Sequence, residues 1–214
     1  MKKLGLLIIL VSFSTAIFSQ SDNKGIKLLD KVSAKTDAYQ DIEMAFSYNM
    51  DNNAEDIHQS KSGNIYIKKE KFKINLDGAI IIFDGNKRYT IVDDEVTISS
   101  SEDESGISSP TQILSMYKEG YVIKWDIEQK VPGKTIQYVR LIPIDSDSEY
   151  QYILIGCDVN SNDLYNVIYT DKQGTQFKLQ LKDLKANKNL PDSLFAFDKS
   201  KYPESEYLYT DLDE

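Results

Sequence analysis

The sequence is short of the residues that most catalytic and metal chemistry depends on. It has one cysteine, Cys157, and one histidine, His58, among 214 residues. A lone cysteine makes no internal disulfide, and two such residues are too few for a Cys/His zinc site. Ser-His-Asp or Cys-His catalysis would have to use His58. That residue lies in the polar run Asn52 to Ser62, which is expected to be a hairpin loop. Basic residues are also scarce: 25 Lys and Arg stand against 34 Asp and Glu, a net charge of −9 with no basic stripe to offset it. Such a surface repels phosphates, so nucleic acid is not expected as a partner. Glycine (10) and proline (5) are too few for a collagen-like or low-complexity chain. The alternating sets Asp145, Asp147, Glu149 and Asp158, Asn160, Asn162 lack the sixth-position Gly and terminal Glu of an EF-hand loop. They read as solvated turns. No spacing selects a carboxylate pair for glycoside hydrolysis. The expectation is a protein that is not an enzyme and carries no metal or cofactor.

What is present is a globular balance, 41% hydrophobic and 28% charged, with 14 tyrosines and length enough for one full domain. Lys2 and Lys3 precede an apolar run from Leu4 to about Phe18, followed by small residues near Ser19. This reads as a signal peptide over residues 1–19, cleaved before Gln20 or Ser21. The run is short for a membrane span, and no cysteine follows it to accept a lipid. Loss of Lys2 and Lys3 would take the charge from −9 to −11. The mature chain is expected in the periplasm, as a domain over 20–203 with an acidic tail over 204–214.

Hydrophobic periodicity predicts a short helix over 22–35, capped by Asp22, with Ile26, Leu29 and Val32 on one face and Leu28 beside it. Strands follow: Ile42–Met50, then Gly63–Lys69, then the Phe72, Ile74, Leu76 set. Asp77-Gly78 and Asp84-Gly85 read as tight turns leading into Ala79–Phe83 and Arg88–Val92. Val96 and Ile98 suggest one more strand, and 99–109 an acidic loop. A second helix is expected from Ser109 (N-cap) and Pro110 to Gly120 (C′), with Ile113, Leu114, Met116 and Tyr117 on or near its apolar face. Strands resume over Val122–Glu128, Lys134–Ile142, Tyr150–Val159, Leu164–Thr170 and Thr175–Leu184. They look antiparallel. Cys157 sits in an apolar strand as a small buried hydrophobe. The tail, with Tyr202, Tyr207 and Tyr209 near or within it, is disordered, lies on the sheet edge, or docks a partner.

This order of elements resembles the outer-membrane lipoprotein carrier protein family (LolA-like) of Gram-negative bacteria. The resemblance is carried by Gly63-Asn-Ile-Tyr-Ile-Lys-Lys69 with Phe72, by Phe83-Asp-Gly85 with Tyr89, by Ser109-Pro-Thr-Gln-Ile-Leu114, by the Asp171–Gly174 turn, and by Leu190 with Phe195-Ala-Phe197-Asp198. It implies a mainly β fold, an incomplete antiparallel β-barrel or strongly curved sheet with a helical lid. It also implies a monomeric periplasmic carrier that holds the acyl chains of lipoproteins. Such a carrier takes its cargo from an inner-membrane ABC-type exporter and delivers it to an outer-membrane acceptor. The alternative is a periplasmic lipid-binding module of envelope or pigment biosynthesis with a non-lipoprotein cargo. A third possibility is an interaction domain whose barrel is filled by its own side chains. The family usually has Arg-Pro after its Gly-led strand, and the Arg bridges to the lid. Here Lys69-Glu70 stand in that place, so Lys69 is the implied latch. Lys68 is the substitute, because the alignment needs a one-residue shift before Phe72.

Acyl chains cost about 0.8 kcal/mol per methylene exposed to water, so a carrier needs an apolar surface that can open and close. Alternation nominates the lining of such a cavity: Met44, Phe46, Tyr48, Ile65, Ile67, Phe72, Ile74, Tyr89, Ile91, Leu114 and Tyr117. The same stripes would also serve as ordinary core. Which strand face lines the cavity is left open by the sequence.

Overall fold

The computed structural model describes residues 16–100 and 112–213. Helix α1 (Ala16–Asp37) is followed by β1 (Ile42–Asn52), β2 (Ile57–Lys68), β3 (Lys71–Leu76), β4 (Ala79–Phe83), β5 (Lys87–Val92) and β6 (Glu95–Ser100). After two short 3-10 turns, Gln112–Leu114 and Met116–Lys118, come β7 (Tyr121–Val131), β8 (Lys134–Pro143), β9 (Tyr150–Asp158), β10 (Asp163–Asp171) and β11 (Gln176–Ala186). Two further 3-10 turns lead to β12 (Leu208–Asp211).

The strands form one twelve-stranded sheet in the order β12-β6-β5-β4-β3-β2-β1-β11-β10-β9-β8-β7. All neighbours are antiparallel except β12, which pairs parallel to β6. Strands β7 and β12 are its two ends, so the sheet curves without closing. Short hairpins explain most of this order. Gly78 and Gly85 take positive φ (82° and 101°) in the β3–β4 and β4–β5 turns, a conformation that costs other residues. Only the β1–β11 pairing and the β12–β6 pairing join distant segments.

Helix α1 lies on one face of the sheet, here the inner face, against β7, β9 and β10. Its buried stripe keeps the expected Leu28, Leu29 and Val32 and adds Gly25 and Ser33, while Ile26, expected on the same face, is 36% exposed. Gly25 takes the inward place because the sheet comes close: a Cβ there would stand 3.0 Å from Ile123 and 3.1 Å from Val139. Asp22 lies inside the helix rather than at its start. Beneath α1, Val139, Leu141, Ile153, Ile155, Val167 and Cys157 form a fully buried core, with Cys157 packed as a hydrophobe.

Two other expectations are corrected. The expected helix over 109–120 is two 3-10 turns; its cap residues Ser109 and Pro110 lie outside the described residues. The segment is too short to hold an α-helix by its own hydrogen bonding. Packing sets it instead: Ile113, Leu114 and Tyr117 are all buried, and Lys118 N–H bonds to the Ser115 carbonyl in the 3-10 manner. Gly120 still ends the segment at φ 81°. His58 lies in β2 opposite Asp51, its Nδ1 3.1 Å from the carboxylate, so the hairpin loop is shorter than the polar run suggested. Polar residues at 58–62 are compatible with a strand there because both faces of that stretch are exposed.

The chain after β11 forms a strap over the outer face. Asp41 accepts backbone N–H bonds from Lys188 (2.7 Å) and Leu190 (3.2 Å), fixing where the strap begins. Phe195 is 1% exposed, and Phe197 stacks on Tyr89 with ring centres 4.3 Å apart. Tyr202, Tyr207 and Tyr209 join Phe197 over Ile82, Ile91 and Val96. The tail lies on the sheet edge as β12, tied by Lys87 to Asp211 at 3.2 Å.

Candidate functional site

Along the inner face, beside the 3-10 turn Gln112–Leu114, lies an apolar trough made of two chambers that share lining residues. The larger, about 390 Å³, is lined by Phe46 and Tyr48 of β1, Ile65 of β2, Phe72, Ile74 and Leu76 of β3, Ile81 of β4, Arg88 and Thr90 of β5, Ile113, and Leu179 of β11. The smaller, about 50 Å³, continues toward α1 between Ile42, Met44, Ile65, Ile67, Ile113, Leu114, Leu164, Leu179, Leu181 and Leu184, with Thr36 and Asp163 at its margin. Ile65, Ile113 and Leu179 border both chambers.

Register decides which side chains reach this trough, because successive residues of a strand point to opposite faces. In β1 the even-numbered residues point inward and in β2 the odd-numbered ones. Met44 lies opposite Ile65, and Ile65 opposite Ile74. Gly63 makes room for the site: a Cβ there would meet the Asn75 carbonyl oxygen and lie 2.7 Å from the Phe46 ring. The trough therefore owes the position of Phe46 to the absence of a side chain on β2.

Met44, Phe46, Tyr48, Ile65, Ile67, Phe72, Ile74 and Leu114 all line the trough. Tyr117 does not. It packs in the core under α1 and donates its hydroxyl to Asp30, which fastens the second 3-10 turn to the helix. Burial first, then the Asp30 carboxylate, pushes the Tyr117 phenol well above its usual range. Tyr89 and Ile91 are on the outer face, beneath the strap. The β5 alternation offered two sets, and the more apolar one packs against Phe197 rather than the trough. Leu179, Leu181, Leu184, Ile81, Leu76 and Ile113 were not among the sequence candidates. The Leu179–Leu181 alternation was a usable signal for two of them.

The lysine pair also divides differently. Lys68 donates to the Leu190 carbonyl at 2.7 Å and stands 3.2 Å from Asp192, so it ties the strap to β2 on the outer face. Its hydrogen bond, then its charge, holds the Asp192 carboxyl below the usual carboxylate range. Lys69 occupies the β2–β3 turn at φ 55°. It borders a polar cleft of about 190 Å³ with Thr36, Asp37 and Asp41, and among the described residues it makes no hydrogen bond to the lid. The α1 side is held elsewhere: Lys35 donates to the Ser161 carbonyl at 2.8 Å and pairs with Asp163.

Among the described residues no group of three or more His, Cys, Asp or Glu could hold a metal ion. Asp145 and Asp158 serve their own turns, accepting from Asp147 N–H (2.8 Å) and Asn160 N–H (3.1 Å). No described helix is long and apolar enough to cross a membrane.

Among solved structures, an uncharacterized conserved protein from Thermus thermophilus shares the fold at TM-score 0.57 and 10% identity, covering 88% of this chain and 99% of its own. The Mycobacterium tuberculosis lipoprotein LppX superposes at TM-score 0.52 and 12% identity, covering 80% and 99%. A LolA superfamily protein from Nitrosomonas europaea gives TM-score 0.43 and 12% identity, covering 81% and 97%. Comparison with curated proteins finds no match. The family model for the outer membrane lipoprotein carrier protein LolA matches residues 37–198, from the end of α1 through the first part of the strap. The chain belongs to the outer membrane lipoprotein carrier protein LolA family.

Proposed function

We propose that the protein is a periplasmic carrier that takes the acyl chains of lipoproteins into the inner-face trough and ferries them toward the outer membrane. The observation that carries this reading is the trough itself: about 390 Å³ of space, walled almost entirely by apolar side chains, in a member of the carrier family. Ligand sites of this size and lining are typical of small-molecule and lipid pockets. A barrel packed solid by its own side chains would lack this space. The signal peptide over 1–19 would place the mature chain in the periplasm. There an ABC-type exporter would supply cargo, and an outer-membrane acceptor would receive it.

The test is release. Spheroplasts or inner-membrane vesicles carrying a labelled lipoprotein are incubated with the purified protein and ATP. The soluble fraction is then assayed for lipoprotein. Release that depends on the protein supports the reading, and retention of all cargo in the membrane contradicts it.

One observation favours a second reading, a non-lipoprotein lipid as cargo. An apolar cavity of about 150 Å³ holds benzene, with six carbons. On that ratio the larger chamber takes about 16 carbons, close to one long acyl chain. A lipid extract of the protein purified from the periplasm distinguishes the two readings, since a free lipid without protein cargo would favour the second.

A further inference from the structure

We infer that the tyrosines beside the trough, Tyr48, Tyr121, Tyr150 and Tyr169, form a subsite for the carbonyl of a bound acyl chain, with the Tyr169 hydroxyl as its hydrogen-bond donor. The inference rests on the reading of the trough as an acyl site. It adds where the head of the chain lies and what kind of head is accepted: a neutral acceptor such as an ester carbonyl, not an anion.

Strand register places these rings next to the trough. Tyr48 lines the larger chamber and lies opposite Leu179, which borders both chambers. Two residues before Leu179, on the same face of β11, stands Phe177, its ring stacked on Tyr48 with centres 6.5 Å apart. Across from Phe177, on β10, stands Tyr169. Tyr150 of β9 packs on Tyr169, with ring centres 5.2 Å apart. Tyr121, Tyr169 and Leu179 all pack against the buried core under α1. Ring contacts and cross-strand pairs therefore link the larger chamber to Tyr169.

The rings suit a core, but the Tyr169 hydroxyl does not. It is buried, and among the described residues no hydrogen-bond partner meets it. Buried tyrosine hydroxyls usually find one. Others in this protein do: Tyr117 donates to Asp30, Tyr138 accepts from Asn166 at 3.0 Å, and Tyr209 donates to the Tyr202 carbonyl at 2.6 Å. Phenylalanine at 169 would pack the same ring without the cost of a buried, unpaired donor. A ligand atom that accepts from this hydroxyl would remove that cost.

The charge of the subsite selects the ligand atom. Burial first, then Tyr150 and Tyr121, pushes the Tyr169 phenol above its usual range, so it is a donor at neutral pH. Burial, then Tyr150, acts in the same direction on Tyr48 and Tyr121. The ionisable groups that act on Tyr169 are themselves phenols, so a carboxylate or phosphate held there would lose its hydration without gaining a cation from them. A carbonyl oxygen is neutral and accepts a hydrogen bond without a countercharge. Every acyl chain begins at one. A chain in the apolar trough with its carbonyl at Tyr169 satisfies both parts of the site.

The experiment compares monododecanoylglycerol with its ether analogue, dodecylglycerol, which lacks the carbonyl, as competitors for a neutral fluorescent probe bound to the purified protein. A lipopeptide carrying a diacylglyceryl cysteine and its diether analogue form a second pair. The wild-type protein is expected to prefer the ester by about fivefold, the value of one neutral hydrogen bond. A preference in the first pair alone assigns the carbonyl to a free glycerolipid, and one in the second pair assigns it to lipoprotein cargo. Tyr169→Phe is expected to bring the ratio close to one. It should leave the urea midpoint of the free protein unchanged or higher, because the hydroxyl has no partner to lose. Equal binding of ester and ether in both pairs by the wild-type protein, which requires no variant, would overturn the inference while leaving the trough an acyl site. So would a preference that survives Tyr169→Phe, or a lowered midpoint in that variant. Failure of every competitor to displace the probe would overturn the acyl reading of the trough, and the inference with it.

Discussion

Replacing Leu179 by tryptophan should shorten the longest chain the protein can bury. Leu179 borders both chambers, and the exchange adds about six non-hydrogen atoms, close to the benzene that fills a cavity of about 150 Å³. The larger chamber would fall from about 390 Å³ to about 240 Å³, and its capacity from about 16 carbons to about 10. Each buried methylene contributes about 0.8 kcal/mol, or about fourfold in affinity. Across a homologous series of saturated acyl probes, the wild-type affinity should climb by that factor per carbon and level off near about 16 carbons. The variant should follow the same line and level off near about 10, with short probes bound as before. Competition against a neutral fluorescent probe measures both curves, and thermal melting checks that the variant is folded. A plateau at the same chain length in both proteins would refute the assignment of Leu179 to the chain path. An affinity independent of chain length would refute the burial argument altogether.

Three further outcomes are expected. Gly63→Ala forces a Cβ against the Asn75 carbonyl and the Phe46 ring, so it should cost about 1–3 kcal/mol by overpacking, read as a lower urea midpoint. An unchanged midpoint would mean that the β2–β3 pair can open there. Lys68→Met removes the hydrogen bond to the Leu190 carbonyl, worth about 1 kcal/mol, and should speed proteolysis within 190–213, whereas Lys69→Met should not. Cys157 is fully buried, and burial pushes its thiol from 9.0 up to about 12. In the unfolded chain the thiol ionises first, so the folded state binds the extra proton between those values. This contribution to stability is whole below pH 9.0 and is lost as pH rises toward 12. Denaturant midpoints in wild type and Cys157→Ala, compared at neutral and alkaline pH, would show it as a steeper alkaline loss in wild type. At neutral pH the native thiol should resist alkylating reagents until the protein is unfolded.

Much of the sheet is legible in the sequence because its turns are chemically marked and its strands alternate. Asp77-Gly78 and Asp84-Gly85 stand where β3–β4 and β4–β5 reverse, and the Met44, Phe46, Tyr48 alternation is the inward face of β1. The losses have physical causes. On β5 both alternating sets are plausible faces, and only the strap, a long-range element with weak local signals, shows why Tyr89 and Ile91 turn outward. The 112–118 segment has helical spacing, yet its structure is set by what Ile113, Leu114 and Tyr117 cover. Lys68 and Lys69 are adjacent, and a one-residue register choice sends the first to the strap and leaves the second in a left-handed turn. A strand register flips with one residue, so no composition argument could separate the pair.

The central claim is most directly tested by native mass spectrometry of the tagged protein recovered from the soluble periplasm of cells that co-express a model lipoprotein. The account predicts a soluble one-to-one complex that disappears when the lipoprotein's acylated cysteine is replaced. A protein recovered without cargo, or a complex that persists with the unacylated partner, would contradict it.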